Sequence, residues 1–164
     1  MKILIDNRSG QELPITHIEE LAAFVLMAEG LPEDIELSVS FVDLEEITSL
    51  NTMYRNKAEP TDVLSFELDP FLDEKSFADE EGFTVGGGGD LEQILIGDIV
   101  INPDVAAKHA KLDEVSFEEE LWLLLIHGIL HLVGYDHEDA DDQELMEEKE
   151  DRYFIQWVHK VENR

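Results

Sequence analysis

The sequence contains no cysteine among its 164 residues. Disulfide bonds are therefore excluded, and so are thiolate ligands to a metal. A transition metal bound by this chain would have to be held by histidine, aspartate or glutamate. The lack of disulfides also fits a reducing compartment, where such bonds are rare.

Basic residues are scarce. Eleven lysines and arginines stand against 40 aspartates and glutamates, so the formal net charge is −29 at pH 7. This charge argues against binding of nucleic acid through a general basic surface, because lysine and arginine supply most of the non-specific affinity for phosphates. A polyanionic substrate would need a local positive patch or the charge of a metal ion.

One such patch is predicted at Arg55 and Lys57, which flank Asn56. The planar guanidinium of Arg55 suits bidentate recognition of phosphate, and Lys57 adds a second positive charge beside it. We therefore expect both residues to form a positive rim for a phosphate-containing substrate. The alternative is that Arg55 forms a surface ion pair with one of the 40 acids.

Long hydrophobic runs are also missing. The longest apolar run, Leu121 to Ile126, is far shorter than the roughly 20 residues of a membrane span. The opening stretch MKILIDNRSG lacks the apolar core and cleavage site of a signal peptide. We therefore expect a cytoplasmic protein without a membrane partner, and the length predicts one domain over residues 1–164.

Hydrophobic periodicity predicts secondary-structure elements in the order β-α-β-α-β-β-α-α-α. Strands are predicted at about 2–6, 35–42, 62–68 and 93–101, and helices at about 14–28, 43–55, 102–112, 116–134 and 139–161. Two helices begin at predicted capping boxes, Asp43 with Glu46 and Ser116 with Glu119. The order indicates an α/β (α+β) fold with a small mixed four-stranded sheet and about five helices. The acidic, glycine-rich segment 69–92 is predicted to be a long mobile loop between two strands.

Half of the six histidines lie in one stretch, 127-HGILHLVGYDH-137. His127 and His131 are spaced to share one face of a helix, which we expect near the centre of the fold. Gly134 can take the left-handed conformation that ends a helix and returns His137 to that face. Three imidazoles with a fourth position open are typical of a catalytic zinc site. The alternative is that they are ordinary surface or core histidines.

The spacing predicts one bound metal ion. Ligation by imidazole alone favours zinc, although nickel, copper or iron would also bind such a site. Asp136, next to the third histidine, is a candidate outer-shell partner or general base. Asp98, which interrupts an apolar strand, is a candidate acceptor for an imidazole N–H.

The histidine spacing is similar to that of metzincin metallopeptidases, H-E-x-x-H-x-x-G-x-x-H. In those enzymes the glutamate after the first histidine is the general base. This chain has Gly128 at that position, so peptide hydrolysis lacks its usual proton acceptor. A metallopeptidase is therefore the weaker hypothesis.

Three motifs together resemble the YbeY family, bacterial endoribonucleases that act on single strands in rRNA maturation. They are HGILHLVGYDH at 127–137, NTMYRNKAEPTDVLSFEL at 51–68 and GDIVIN at 97–102. The resemblance implies a zinc-dependent hydrolase with the ion on His127, His131 and His137, and a role for Arg55 in RNA binding or catalysis. It also implies single-stranded rRNA, the small ribosomal subunit and its assembly factors as partners, with no DNA substrate. The chain departs from the family in its long acidic segment 69–92 and its strong negative charge.

Three functions remain open at this point. The first is a zinc-dependent endoribonuclease of rRNA maturation and ribosome quality control, in which either water or the adjacent 2′-hydroxyl attacks the phosphate. The second is a ribosome-associated assembly factor whose metal is mainly structural. The third is a metallopeptidase with a metzincin-like site.

Overall fold

The computed structural model describes residues 1–67 and 94–164. The strands are β1 (Lys2–Asn7), β2 (Ile35–Phe41), β3 (Val63–Glu67) and β4 (Ile94–Ile101), and the helices are α1 (Ile15–Ala28), α2 (Leu44–Arg55), α3 (Pro103–Asp113), α4 (Phe117–Leu132) and α5 (Ala140–Glu162). Every predicted element is present and in the predicted order. The loop predicted at 69–92 lies outside the described residues. None of the helices in the described ranges is long and apolar enough to cross a bilayer.

The strands form one mixed sheet in the order β1-β2-β4-β3. β1 and β4 run parallel to β2, and β3 is antiparallel to β4. The central strand β2 alternates between buried and half-buried residues, as expected where one face of a sheet is covered more fully than the other. The predicted fold class, a small mixed sheet packed with helices, is confirmed.

The two faces of the sheet carry different helices. Ile99 and Ile101 of β4 belong to the main core, which also contains residues of α1, α4 and α5. Val100, between them, packs with Ile47 of α2 and Leu64 of β3. Because successive side chains of a strand point to opposite faces, α1, α4 and α5 lie on one face and α2 lies on the other.

Helix α4 is the central helix of the larger layer, where it packs against α1, α3, α5 and strands β3 and β4. It begins at the predicted capping box: the hydroxyl of Ser116 accepts the N–H of Glu119, and the Glu119 carboxylate accepts the N–H of Ser116. In the other predicted capping box, only one of the two hydrogen bonds is present. Asp43 caps the N–H of Glu46, but the Glu46 carboxylate pairs with Arg8 instead.

Close packing of α4 on the sheet depends on Gly97 in β4. A Cβ atom at this position would lie 2.6 Å from the carbonyl oxygen of Phe66 and 2.7 Å from Cδ2 of Leu132 in α4. The register of β4 against β2 also shifts just before this glycine. Gly97 therefore allows the end of α4, which carries the histidines, to approach strands β3 and β4.

Candidate active site

Three histidine rings converge at the C-terminal end of α4. His127 and His131 lie one turn apart, with their Nε2 atoms 3.0 Å from each other. The ring centroid of His137 lies 5.3 Å from that of His127 and 4.6 Å from that of His131. One ligand atom from each ring lies within 4.8 Å of the others. The structure thus brings together the three residues predicted as metal ligands.

The turn after α4 returns His137 to the helix as predicted. Gly134 has a φ of +105°, which residues with a Cβ atom rarely adopt. Its N–H donates to the carbonyl of His131 at 3.1 Å, and the N–H of Tyr135 donates to the carbonyl of Leu130 at 2.9 Å. This pair of bonds is the Schellman pattern of helix ends. It reverses the chain direction so that His137 faces the other two rings.

The donor set suits a tetrahedral transition metal. Zinc with Zn–N bonds of roughly 2.0–2.1 Å places its nitrogen ligands about 3.3 Å apart, close to the 3.0 Å between the two Nε2 atoms of α4. Burial, reinforced by the neighbouring His127 and His137, lowers the pKa of His131, which keeps this ring neutral and able to bind a metal at pH 7. Three protein ligands leave one tetrahedral position for water or substrate.

Both histidines of α4 are oriented through their Nδ1 atoms. The Nδ1 of His127 lies 2.5 Å from the carboxylate of Glu150 in α5, and the Nδ1 of His131 lies 3.1 Å from the backbone carbonyl of Tyr135. Because a carbonyl or a carboxylate can only accept, each Nδ1 carries the proton and each Nε2 keeps its lone pair. The lone pairs are thus directed at the point where the rings meet.

Sequence reasoning missed Glu150 and predicted Asp98 as the acceptor instead. Asp98 pairs with Phe66 in the register of β3 and β4, which places it on the α2 face of the sheet, away from the histidines. The prediction for Asp98 is therefore wrong. No local pattern distinguishes Glu150 from the other acids of α5, because its partner lies 23 positions away.

A buried carboxylate holds the turn between the histidines against α1 and α5. The side chain of Glu29, which follows α1, is 8% exposed. It accepts hydrogen bonds from the hydroxyl of Tyr135 at 2.9 Å, from the ammonium of Lys149 at 3.2 Å and from the hydroxyl of Tyr153. Burial acts to raise the pKa of Glu29, but these donors outweigh it and hold the pKa below its usual value. Tyr135, whose carbonyl orients His131, is thus also fixed through its hydroxyl.

Gly128 occupies the position at which metzincins carry their general base. A Cβ atom there would lie 3.0 Å from Cγ2 of Ile99 and 3.2 Å from Oγ of Ser65. A glutamate side chain would therefore point at the sheet, where it has no room, rather than at the metal site. This packing explains the glycine and argues against the metallopeptidase hypothesis.

Asp136, predicted as an outer-shell partner or general base, is exposed. Its Oδ1 accepts the backbone N–H of His137 at 2.7 Å. This contact stabilises the turn locally, and within residues 1–67 and 94–164 no hydrogen bond joins the carboxylate to an imidazole nitrogen. The role of Asp136 as a base stays a prediction.

Arg55 and Lys57 lie at the exposed C-terminal end of α2, the helix on the opposite face of the sheet from α4. Asn56 between them has a φ of +55° and caps the helix. In the part of the chain that the structure describes, no carboxylate forms an ion pair with either side chain. The alternative of a surface ion pair for Arg55 is therefore not found there, and neither residue is brought into contact with the histidines.

A cavity of about 330 Å³ adjoins the histidine site. Its lining includes His127 and Glu150 of that site, together with three further carboxylates, those of Asp62, Asp113 and Glu120. A substrate or ion in this cavity therefore lies next to the predicted metal centre.

A family model described as Endoribonuclease YbeY matches residues 4–158. The chain belongs to this family. Membership confirms the resemblance carried by the three sequence motifs, and it confirms the prediction of an endoribonuclease at the level of the family.

Curated relatives named Endoribonuclease YbeY match nearly the whole of this YbeY-family chain. The protein of Thermoanaerobacter sp. (strain X514) is 42% identical over 156 residues, which cover 92% of this chain and 94% of the relative. The protein of Alkaliphilus oremlandii (strain OhILAs) is 39% identical over 155 residues, which cover 92% and 93%. The solution structure of TM1509 from Thermotoga maritima aligns with a TM-score of 0.61 and 26% identity, covering 99% of this chain and 93% of that one.

Proposed function

We propose that this chain is a zinc-dependent endoribonuclease that cleaves single-stranded RNA in rRNA maturation and ribosome quality control. The observation that supports this proposal most strongly is the convergence of His127, His131 and His137 in a chain of the Endoribonuclease YbeY family. One ion is proposed for this site. Zinc is favoured by the all-imidazole ligand set, although other transition metals would also bind it.

The protein residues prepare the site for attack on a phosphodiester. When bound, zinc acidifies a water molecule and polarises a phosphoryl oxygen. Glu150 and the carbonyl of Tyr135 hold two of the rings in the required orientation, and a carboxylate partner also raises the basicity of the imidazole it contacts. His137 is exposed and His127 is half-buried, so an RNA backbone can reach the site from solvent.

Arg55 and Lys57 are proposed to bind RNA phosphates. Both are exposed, and no acid within the described ranges neutralises them. Because α2 and α4 lie on opposite faces of the sheet, these residues hold a different part of the strand from the part that meets the histidines. A substrate that reaches both places must be extended and flexible, which favours single-stranded RNA over a duplex.

The physiological partners we propose are single-stranded regions of rRNA in the small ribosomal subunit, together with its assembly factors, in the cytoplasm. The net charge of −29 supports this proposal. Free RNA is repelled by such a surface, whereas basic ribosomal proteins attract it and bring RNA to the site by complementary charge. No DNA substrate is proposed.

The experiment follows cleavage of a labelled single-stranded rRNA fragment on a denaturing gel. The wild-type chain loaded with zinc is expected to cleave it, a chelator to stop cleavage, and His131→Ala to abolish it. Arg55→Glu is expected to reduce the rate on the order of 100-fold. Lys2→Glu makes the same charge change on β1, at the other edge of the sheet from β3, and is expected to retain activity.

Circular dichroism establishes that each variant is folded. Cleavage at the wild-type rate by folded His131→Ala, in a nuclease-free preparation, would refute the proposed role of the histidine site in catalysis. No cleavage by the zinc-loaded wild type would leave the assembly factor with a structural metal. Peptide turnover that is lost on chelation and in His131→Ala would instead support the metallopeptidase.

A further inference from the structure

A second cluster of potential metal ligands lies beside the histidine site. Asp62 immediately precedes β3, His109 lies in α3 and Glu120 lies in α4. One ligand atom from each residue lies within 4.8 Å of the others, and Oδ2 of Asp62 is 3.1 Å from Nδ1 of His109. Three separate elements thus place two carboxylates and one imidazole around a single point.

Glu120 is the member of this cluster without a hydrogen-bond partner among the described residues. It is 7% exposed, and no donor among residues 1–67 and 94–164 forms a hydrogen bond or ion pair with its carboxylate. A largely buried carboxylate without a protein donor is stabilised by a proton, by a cation or by water in the adjoining cavity. Burial raises the pKa of Glu120, His109 opposes the shift, and Asp113 and Asp62 reinforce it.

We propose that Asp62, His109 and Glu120 bind a hard divalent cation, Mg²⁺ or Mn²⁺. Carboxylate oxygens are the ligands that these ions prefer. Such an ion keeps several water molecules in its coordination shell, and the cavity of about 330 Å³ that is lined by Asp62 and Glu120 supplies the space for them.

The proposed cation site is separate from the histidine centre. Glu120 precedes His127 by two turns on the same face of α4, which at 1.5 Å per residue separates the two positions by about 10 Å. A two-metal catalytic centre holds its ions roughly 3.5–4 Å apart. The cation therefore occupies the same cavity that His127 lines, but the two metal sites have no ligand in common. It joins the start of β3 to α3 and α4 and brings positive charge to a cavity lined by acids.

The test uses Mn²⁺ alone as the probe. It is titrated into the full-length chain after an equimolar amount of zinc has been added, and free Mn²⁺ is measured by its electron paramagnetic resonance signal. A high-salt buffer suppresses diffuse binding to the acidic surface. The wild type is expected to show one saturable site, and the isosteric Glu120→Gln to bind at least about tenfold more weakly, because affinity depends on the charge of the ligands.

The matched control is Asp113→Asn. Asp113 lines the same cavity but does not belong to the cluster, so this variant loses the same charge without losing a ligand and is expected to keep most of the wild-type affinity. Thermal unfolding is the second readout: Mn²⁺ is expected to raise the Tm of the wild type and of Asp113→Asn, but not that of Glu120→Gln. If Glu120→Gln does not fold, Asp62→Asn takes its place.

Equal affinity of the wild type and Glu120→Gln for Mn²⁺ would overturn the proposal. So would the absence of a saturable site in the wild type, and Glu120 would then be a buried carboxyl stabilised by a proton or by water. The Mn²⁺ titration and the thermal unfolding are both measured without RNA, so their outcome does not depend on the cleavage activity proposed above.

Discussion

The carboxylate of Glu150 in α5 lies 2.5 Å from Nδ1 of His127 in α4. The contact joins residues 23 positions apart and determines which nitrogen of His127 is free to bind a metal. Because the carboxylate accepts a hydrogen bond from the N–H of Nδ1, which keeps its proton, Nε2 keeps its lone pair. Most of the acidic residues of α5 face solvent, but Glu150 of this helix orients a histidine of the site.

Glu150→Gln is expected to weaken zinc binding by about 10- to 100-fold, the usual effect of removing an outer-shell partner. The amide oxygen can still accept a hydrogen bond from Nδ1, but it has no charge to raise the basicity of His127. Zinc affinity is measured at pH 7 by competition with a chromophoric chelator. Glu144→Gln is the control, because Glu144 is an exposed residue of the same helix. Wild-type zinc affinity in Glu150→Gln would contradict the role assigned to this contact.

Glu29→Gln is expected to lower the free energy of unfolding at pH 7 by about 1–3 kcal/mol, because three donors lose a charged acceptor. The pKa of Glu29 in the folded chain lies below its ordinary value of 4.5. Its carboxylate therefore stabilises the fold at pH values above 4.5, and this contribution is lost as the pH falls through the folded-state pKa. Urea unfolding across this range measures the difference between the wild type and the variant.

The control for this series is Glu19→Gln, an exposed position of α1 that is expected to change little at any pH. A difference between wild type and Glu29→Gln that stayed the same at pH 7 and at pH 3 would show that the charge of Glu29 is not what stabilises the turn.

Gly97→Ala is expected to lower the free energy of unfolding by about 1–3 kcal/mol, the usual effect of overpacking. Its new Cβ atom would lie 2.6 Å from a backbone atom, the carbonyl oxygen of Phe66, which cannot move without disturbing the pairing of β3 and β4. Gly128→Ala is the comparison, because its closest neighbour is a side-chain atom of Ile99 at 3.0 Å and alanine favours the helix by about 1 kcal/mol. Equal urea midpoints for the two variants would contradict this account of Gly97.

RNA cleavage by the isolated chain is expected to be weak and to fall steeply with salt. Screening weakens the attraction of Arg55 and Lys57 for phosphates, while the rest of the surface repels RNA. For a single strand, each phosphate contact contributes about −0.7 to the slope of log affinity against log salt. Arg55→Glu should therefore make that slope shallower by about this amount in a binding titration. Strong turnover by the isolated wild type at high ionic strength would contradict the prediction.

Local patterns in the sequence were sufficient for the elements and for the three histidines. The capping box of Ser116 and Glu119, the turn at Gly134 and the shared helix face of His127 and His131 all lie within one or two helical turns. At that range the geometry of the helix places side chains without reference to the rest of the fold. The motifs also predicted the family correctly, because they combine many specific positions in a fixed order.

Only the tertiary structure decided which acids serve the site. Glu150, Glu29 and Glu120 are three of 40 acidic residues, and each acquires its surroundings from elements that lie far away in the chain. The structure likewise placed Asp98 on the wrong face of the sheet for its predicted role and showed why Gly128 cannot be a glutamate. Hydrogen bonding and burial depend on contacts between elements, and the spacing of residues along one element does not specify which elements will pack together.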